Sequence, residues 1–189
     1  MSRVLILYGT TEGHTAKVAR AIRGVLEQQG FDVATASADV MDPRPSVYDG
    51  VIVAASIHGG TYQKSVRQWV RAHAAELSSR PSAFVSVCLG VLQKDPKVDA
   101  ELANIVARFA VETGWTPPHT KQVAGALLYR QYNFFMRWVM KRIAAKAGGD
   151  TDTSRDYEYT DWNDVRAFAG QFGRMVTVAS ARVVLAAAG

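Results

Sequence analysis

The N-terminal fifteen residues constrain the fold most, because a short apolar run leads directly into a turn rich in glycine and hydroxyl groups. The run spans residues 4–8 and the turn spans residues 9–15. Apolar residues then recur at spacings of three and four from Val18 to Leu26, which predicts a helix. A buried strand therefore enters a turn that opens a helix. Backbone N–H groups and the positive end of the helix dipole converge on that turn.

Neutral hydroxyls dominate the turn, which has neither the lysine of a P-loop nor a G-x-G-x-x-G pattern. Hydroxyl and backbone donors without a cation favour a terminal phosphate monoester that is held without a metal. The turn therefore predicts a phosphate site. The alternative is an ordinary strand–turn–helix in which a threonine caps the helix. The candidate contacts are Thr10, Thr11, Glu12, Gly13, His14 and Thr15.

The composition sets the size and class of the chain. With 189 residues we expect a single domain over residues 1–189, with a core of ordinary size. No stretch approaches about eighteen uncharged apolar residues, and the fold begins at once, so neither a membrane-spanning helix nor a signal peptide is expected. The single cysteine, Cys88, excludes an internal disulfide and a cysteine-based metal cluster. These features favour a cytoplasmic protein without a metal.

Short apolar runs alternate with helical patterns along the rest of the chain. Strands that are buried on both faces and alternate with helices predict a parallel sheet covered on both sides. Right-handed crossovers then give a doubly wound α/β fold of five strands in the order 2-1-3-4-5, with the ligand at the carboxyl edge of strands 1, 3 and 4. The predicted strands span residues 4–8, 31–36, 50–55, 83–89 and 122–128, and the predicted helices span residues 14–29, 62–79, 97–113 and 162–180.

The turns after strands 3 and 4 are rich in small residues and reach the same edge as the phosphate turn. Glycines let the backbone approach a flat ring closely and offer N–H and C=O groups to a heterocycle. One phosphate turn and two such turns fit flavin mononucleotide (FMN), with the isoalloxazine ring between the latter two. The candidate ring contacts are Ser56, Ile57, His58, Gly59, Gly60 and Tyr62 after strand 3, and Ser86, Val87, Cys88, Leu89 and Gly90 after strand 4.

Several of these residues also have plain structural interpretations. Gly59 and Gly60 could form a simple turn, and Tyr62 could pack at the start of the next helix. His58 could donate to the flavin, reach the substrate or lie on the surface. Cys88 is expected to pack as a small apolar side chain, because there is no second cysteine for a redox pair.

The positive charge of the chain is concentrated in one stretch. The formal net charge is +5 and the sequence pI is about 9.5, which points to an anionic partner. Between Glu112 and Asp150 there are six lysines and arginines and no acidic residue. No nucleic-acid-binding motif is present, so nucleic acid is not the expected partner.

Residues 129–161 exceed a minimal five-strand fold, and we predict a basic helical insertion after strand 5. Its aromatic and aliphatic side chains recur near helical spacing, with cations at many of the other positions. This pattern is typical of a helix that lies in a membrane interface. The alternative is a covering helix whose cations point into water. The candidate contacts with the substrate or an anionic membrane are Arg130, Phe134, Phe135, Arg137, Trp138, Lys141 and Arg142.

Several segments recur in the same order in one protein family. The chain resembles the flavodoxin-like, menaquinone-dependent protoporphyrinogen IX dehydrogenases of bacteria from about residue 3 to residue 173. The segments GGDTDT and YTDW and the basic insertion are more specific than the phosphate turn, which flavodoxins share. The resemblance is carried by residues 9–15, 55–57 (ASI), 81–84 (PSAF), 124–127 (AGAL), 148–153 (GGDTDT) and 159–162 (YTDW).

The resemblance implies a flavodoxin-like fold with tightly but non-covalently bound FMN. It further implies oxidation of protoporphyrinogen IX to protoporphyrin IX in haem biosynthesis, with electrons passed to menaquinone or another quinone. The protein would then be peripheral at the cytoplasmic face of the bacterial inner membrane. Where this chain has His58 and Gly59, the family carries an arginine and a tyrosine, so the substrate contacts are expected to differ. The oligomeric state is left open, a homodimer included.

Three other functions compete with this FMN-dependent oxidoreductase. A flavin-dependent NAD(P)H:quinone reductase could use the basic insertion to contact a dinucleotide phosphate. A flavodoxin-type electron carrier is disfavoured, because such carriers dock basic partners through acidic surfaces and this chain is basic. A regulatory or nucleic-acid-binding module has only the net charge in its favour. No acid–base pair is evident, so no side chain is assigned as catalytic.

Overall fold

The computed structural model describes residues 1–93, 95–129, 144–145 and 150–187. Five parallel strands form one sheet in the order β2-β1-β3-β4-β5, which confirms the predicted fold class and strand order. The strands are β1 (Arg3–Gly9), β2 (Asp32–Ser37), β3 (Gly50–Ser56), β4 (Ser82–Val87) and β5 (Thr120–Val123).

Helices cover both faces of the sheet, and alternate residues of the strands face opposite layers. In β1, Val4 and Ile6 pack with the helices His14–Gln28 and Trp162–Ala187, whereas Leu5 and Leu7 pack with the helices Lys64–Ala72 and Pro96–Thr113. This alternation explains why the strand read as a continuous apolar run in the sequence. The helices are α1 (His14–Gln28), α2 (Lys64–Ala72), α3 (Ala74–Ser78), α4 (Pro96–Thr113) and α5 (Trp162–Ala187), with 3₁₀ turns at Pro45–Val47 and Leu89–Gln93.

The predicted helix over residues 62–79 is wrong, because it is two helices that meet at His73. The His73 ring lies 2.9 Å from a carboxylate oxygen of Glu76 and packs against Trp69 with ring centroids 4.9 Å apart. With φ at −116°, His73 leaves the helical backbone, and α3 starts one residue later. The apolar spacing runs through the break, so it could not be read from periodicity.

The predicted fifth strand over residues 122–128 is also divided. The chain leaves the edge of β4 after Val123, and Ala126–Leu127 (β6) pairs antiparallel with Tyr157–Glu158 (β7). The Gly125 carbonyl accepts from the N–H of Tyr159, so residues 125–127 pair with the chain at residues 157–159 and no longer with β4. The last helix is longer than predicted and runs to Ala187. Asp161 caps it, with Oδ1 accepting from the N–H groups of Asn163 and Asp164.

A buried tyrosine closes the base of the insertion. The Tyr129 hydroxyl donates to the Asp150 carbonyl oxygen at 2.8 Å, and the Tyr159 hydroxyl donates to a carboxylate oxygen of Asp150 at 2.8 Å. Asp150 is thus held between Tyr129, which follows β6, and Tyr159, which follows β7. The predicted basic helix and its contacts lie outside the described residues, namely Arg130, Phe134, Phe135, Arg137, Trp138, Lys141 and Arg142. Within the described parts of the chain, we find no helix with the length and apolar character needed to cross a bilayer.

Candidate functional site

The phosphate turn links β1 to α1 and is closed by its own first hydroxyl. The Gly13 N–H donates to Thr10 Oγ1 at 2.9 Å, and Gly13 has a φ of +85°, a conformation that glycine adopts readily. Gly13 itself precedes the first helical residue, so the alternative of a threonine cap is not observed. The Thr10 hydroxyl accepts from Gly13 and keeps its own hydrogen for another acceptor.

The turn sits directly on the core. Thr15, in the first turn of α1, is only 1% exposed. A Cβ atom placed on Gly9 would lie 2.5 Å from Cγ2 of Val66, so α2 packs against the backbone here and only glycine fits. The sequence pattern therefore placed a rigid turn correctly, with its glycines explained by packing and by φ.

His14 directs its side chain away from the turn. Its Nε2 lies 2.7 Å from the Thr160 hydroxyl, and its ring lies beside Trp162. Burial lowers the pKa of His14, opposed by the nearby Glu158 carboxylate and reinforced by Lys17. Only the backbone of His14 is therefore left to serve a phosphate in the turn.

A tight hairpin forms the tip of the turn after β3. His58 and Thr61 exchange backbone hydrogen bonds at 2.9 and 3.2 Å, across Gly59 and Gly60 with φ of +58° and +75°. Two consecutive positive φ values characterise a type I′ turn, which demands glycine or a similar residue. The simple-turn interpretation of the two glycines is thus what the structure shows. The His58 side chain is exposed, with Nε2 3.2 Å from Oγ of Ser56.

Tyr62 and Ser86 face the core. The Tyr62 ring packs edge-on against Phe84 and Phe109, with centroids 4.9 and 5.1 Å away, and is 2% exposed. Its hydroxyl lies 2.9 Å from the fully buried Ser86 hydroxyl, and burial raises the pKa of Tyr62 to about 12. Both side chains support the two ring turns from beneath, as the packing interpretation of Tyr62 predicted.

The turn after β4 is held by Cys88 and Leu89. The Gly90 N–H donates to Sγ of Cys88 at 3.2 Å, and burial raises the pKa of the Cys88 thiol. This environment disfavours the thiolate and fits a packed, unreactive cysteine. Leu89 packs against the small apolar cluster of Leu127, Tyr129 and Ala144, so this turn lies beside the start of the insertion. Val87 is buried in the core.

Sequence reasoning missed Gln63. Its Nε2 lies 2.7 Å from Oγ of Ser56 and 3.3 Å from Oγ1 of Thr11, and its Oε1 is buried without a hydrogen-bond partner in the described structure. Gln63 thus joins the phosphate turn to the end of β3. A lone glutamine before a helix carries no signal in the sequence, because the contact with Thr11 spans 52 positions.

The residues present fit a flavin phosphate. Thr10 offers a hydroxyl hydrogen, Thr11 adds a second hydroxyl, and the first N–H groups of α1 have no acceptor within the helix. Neutral donors at a helix N-terminus suit an anionic phosphate without a metal. Adjacent strands carry the two ring turns to the same edge, because Gly9 pairs with Ala55 and Ser56 pairs with Val87.

Fold and site together define a flavodoxin domain, and a flavodoxin-domain family model matches residues 5–154. The chain belongs to the flavodoxin-domain family that includes the protoporphyrinogen IX dehydrogenases [quinone]. It is 33% identical over 174 residues to the protoporphyrinogen IX dehydrogenase [quinone] of Escherichia coli K12, which covers 92% of this chain and 96% of that protein. The protein of the same name from Leishmania major is 34% identical over 180 residues, covering 92% of this chain and 75% of that protein.

Solved structures bear out the fold. Oxidised flavodoxin 1 from Bacillus cereus superposes with a TM-score of 0.50 at 17% identity, over 93% of this chain and 97% of that one. A short-chain flavodoxin associated with a bacterial microcompartment superposes with a TM-score of 0.55 at 14% identity, over 95% and 99%. At these identities the likeness concerns the fold alone.

Proposed function

We propose that this protein binds FMN and oxidises protoporphyrinogen IX to protoporphyrin IX, passing the electrons to a quinone. The proposal rests on the Thr10–Gly13 turn, where hydroxyl and backbone donors meet at a helix N-terminus. It also rests on alignment over 92% of this chain with two proteins named protoporphyrinogen IX dehydrogenase [quinone]. Because the same fold hosts many functions, the fold alone does not identify this activity. The residues of the site and the family relationship support it.

The chain's own residues bind and orient the cofactor. Thr10, Thr11 and the backbone N–H groups at the start of α1 would hold the phosphate. The hairpin at His58–Thr61 and the turn around Cys88 would flank the ring. Bound FMN would supply the electron acceptor that the side chains of the site lack. Tyr62 and Ser86 would fix the two flanking turns from the core, without contact with the ring.

We further propose that the insertion brings the protein to the membrane, where an apolar quinone resides. This proposal rests on the sequence, since six cations and no acid lie between Glu112 and Asp150. Each cation near an anionic surface contributes about 1 kcal/mol, and aromatic side chains add apolar burial at the head-group boundary. Leu89, in the turn after β4, packs against the cluster of Leu127, Tyr129 and Ala144, so this turn lies beside the first residue of the insertion.

A turnover assay tests the proposed activity. Protein loaded with FMN is mixed anaerobically with protoporphyrinogen IX and a menaquinone analogue, and porphyrin fluorescence is followed. We expect fluorescence to rise only when protein, FMN and quinone are all present. Quinone reduction with NADPH in place of the porphyrinogen, without porphyrin formation from protoporphyrinogen IX, would identify an NAD(P)H:quinone reductase instead.

A further inference from the structure

We infer that Gln63 is a positioning residue that sets the direction of the hydroxyl hydrogen bonds at the proposed flavin site. The inference rests on the proposed binding of FMN. Gln63 directly precedes α2, and its side-chain amide spans two loops. Its Nε2 donates to Oγ of Ser56 at 2.7 Å and to Oγ1 of Thr11 at 3.3 Å.

The Gln63 amide determines whether the two hydroxyls can donate a hydrogen bond to a ligand. A serine or threonine hydroxyl has one hydrogen to donate and two lone pairs to accept with. Because Gln63 donates to Ser56 and to Thr11, each hydroxyl keeps its hydrogen for another acceptor. For Ser56 that acceptor can be Nε2 of His58 at 3.2 Å, whereas the Thr11 hydrogen is left for a ligand in the turn. Thr10 is set in the same way by the N–H of Gly13. The phosphate turn is therefore arranged as a set of donors, which matches a dianionic ester that can only accept.

This arrangement leaves the other end of the Gln63 amide, Oε1, buried without a hydrogen bond in the part of the chain that the structure describes. Oε1 of Gln63 lies beneath the turn without a partner in the described residues, and a Cβ on Gly9 would stand 3.1 Å from it. An unpaired buried acceptor lowers stability. The opposite amide orientation would turn the oxygen towards Ser56 and Thr11, where it would take up their hydrogens. With Nε2 towards Ser56 and Thr11, the amide leaves Oε1 without a partner among the described residues and leaves the Thr11 hydrogen for a ligand.

Two isosteric variants test this role. Gln63→Glu replaces the donor by a carboxylate that accepts from both hydroxyls, so it reverses the hydrogen bonds in place. Gln68→Glu is the matched control, because it makes the same change at an exposed position of α2, five residues further on. Affinities of the full-length apoprotein for FMN and for riboflavin, which lacks the phosphate, are measured by quenching of flavin fluorescence.

We expect Gln63→Glu to weaken FMN binding by about ten- to a hundredfold, the range for losing a hydrogen bond to a charged group. Riboflavin binding should change by less than about threefold, as no charged acceptor is lost. Gln68→Glu should match the wild type with both ligands. Gln63→Met keeps the length of the side chain without its hydrogen bonds, and should weaken FMN binding less than Gln63→Glu does.

The pH dependence separates positioning from a merely structural role. Protonation of the new carboxyl group removes its charge and restores a donor, so the deficit of Gln63→Glu relative to Gln68→Glu should shrink as the pH is lowered from 8 to 5. Equal losses for FMN and riboflavin, or normal FMN binding by Gln63→Glu, would overturn the inference while the proposed function stands. Failure of the wild type to bind FMN would overturn both.

Discussion

Nε2 of His14 donates a hydrogen bond to the hydroxyl of Thr160 over 2.7 Å, across 146 positions of the chain. The direction follows from the second contact of Thr160, whose single hydroxyl hydrogen goes to the Ala124 carbonyl oxygen at 2.7 Å. The pair therefore ties the first residue of α1, beside the phosphate turn, to the chain that returns from the insertion. It also fixes the neutral Nε2–H tautomer of His14.

This relationship predicts that stability falls on acidification. Burial lowers the pKa of His14 below 6.5, so the unfolded chain binds the proton more readily than the folded one. Neutral His14 makes its full contribution to the free energy of unfolding when the pH is above the pKa that His14 has in the unfolded chain. That contribution is lost as the pH falls below this value. Between pH 7.5 and 5.5 we expect a loss of up to about 1.4 kcal/mol from this residue. Urea unfolding at both values measures it.

His14→Gln is the control for the acid prediction, because a glutamine amide can still donate to Thr160 and does not titrate. The variant should lose less stability than the wild type over the same pH interval. An equal loss in both proteins would assign the acid sensitivity to other groups.

Removal of the Tyr62 hydroxyl should destabilise the fold and leave flavin binding intact. Tyr62→Phe keeps the ring against Phe84 but leaves the buried Ser86 hydroxyl without its hydrogen-bond partner. We expect this to lower the free energy of unfolding by about 1–3 kcal/mol. The double variant Tyr62→Phe with Ser86→Ala should recover part of that loss, because no unpaired group remains. Denaturant unfolding and FMN titration are measured on the same samples. A shifted flavin spectrum or weakened FMN binding in Tyr62→Phe would place the tyrosine on the ring.

Substitution of Thr10 should weaken the binding of FMN specifically. Thr10→Ala removes the acceptor that closes the turn on Gly13 and one hydroxyl donor to the phosphate. We expect a loss of about 1.5–3 kcal/mol in FMN binding, the range for a hydrogen bond to a charged group. Thr120→Ala, at an exposed position where β5 begins, is the matched control and should bind as the wild type does. Unchanged FMN affinity in Thr10→Ala would mean that this turn does not hold the phosphate.

The insertion should hold the protein on anionic vesicles even at high salt. Charge attraction is screened to about 3 Å at 1 M salt, whereas buried aromatic side chains resist salt. Phe135→Ala with Trp138→Ala should abolish the salt-resistant fraction in co-sedimentation. Val178→Ala with Leu185→Ala removes exposed apolar groups from α5 and should leave that fraction unchanged. Equal sedimentation of the Phe135–Trp138 variant and the wild type would favour a covering helix.

Local pattern in the sequence predicted much of the fold. Apolar runs located all five strands of the sheet, and the order 2-1-3-4-5 followed from the handedness of the crossovers. The break at His73 has no signal in the sequence, because the apolar spacing continues through it while the backbone leaves the helix with φ at −116°. The division of the fifth strand depends on pairing with Tyr157, a partner thirty positions on from Leu127.

The sequence located the loops at this edge of the sheet better than it located the directions of their side chains. The turn between β1 and α1 could be located, because glycines and threonines between a strand and a helix have a local signature. The direction of each side chain depends on distant partners. His14 turns to Thr160, Tyr62 bonds to Ser86, and neither partner is evident from spacing. Gln63 can contact both Thr11 and Ser56 only because neighbouring strands bring these two residues together.

The most direct test of the central claim is the anaerobic reaction of FMN-loaded protein with protoporphyrinogen IX alone, followed by flavin absorbance. We expect the flavin to bleach as porphyrin fluorescence appears, and we expect its oxidised spectrum to return when a menaquinone analogue is added. A flavin that stays oxidised with protoporphyrinogen IX but bleaches with NADPH would contradict the account.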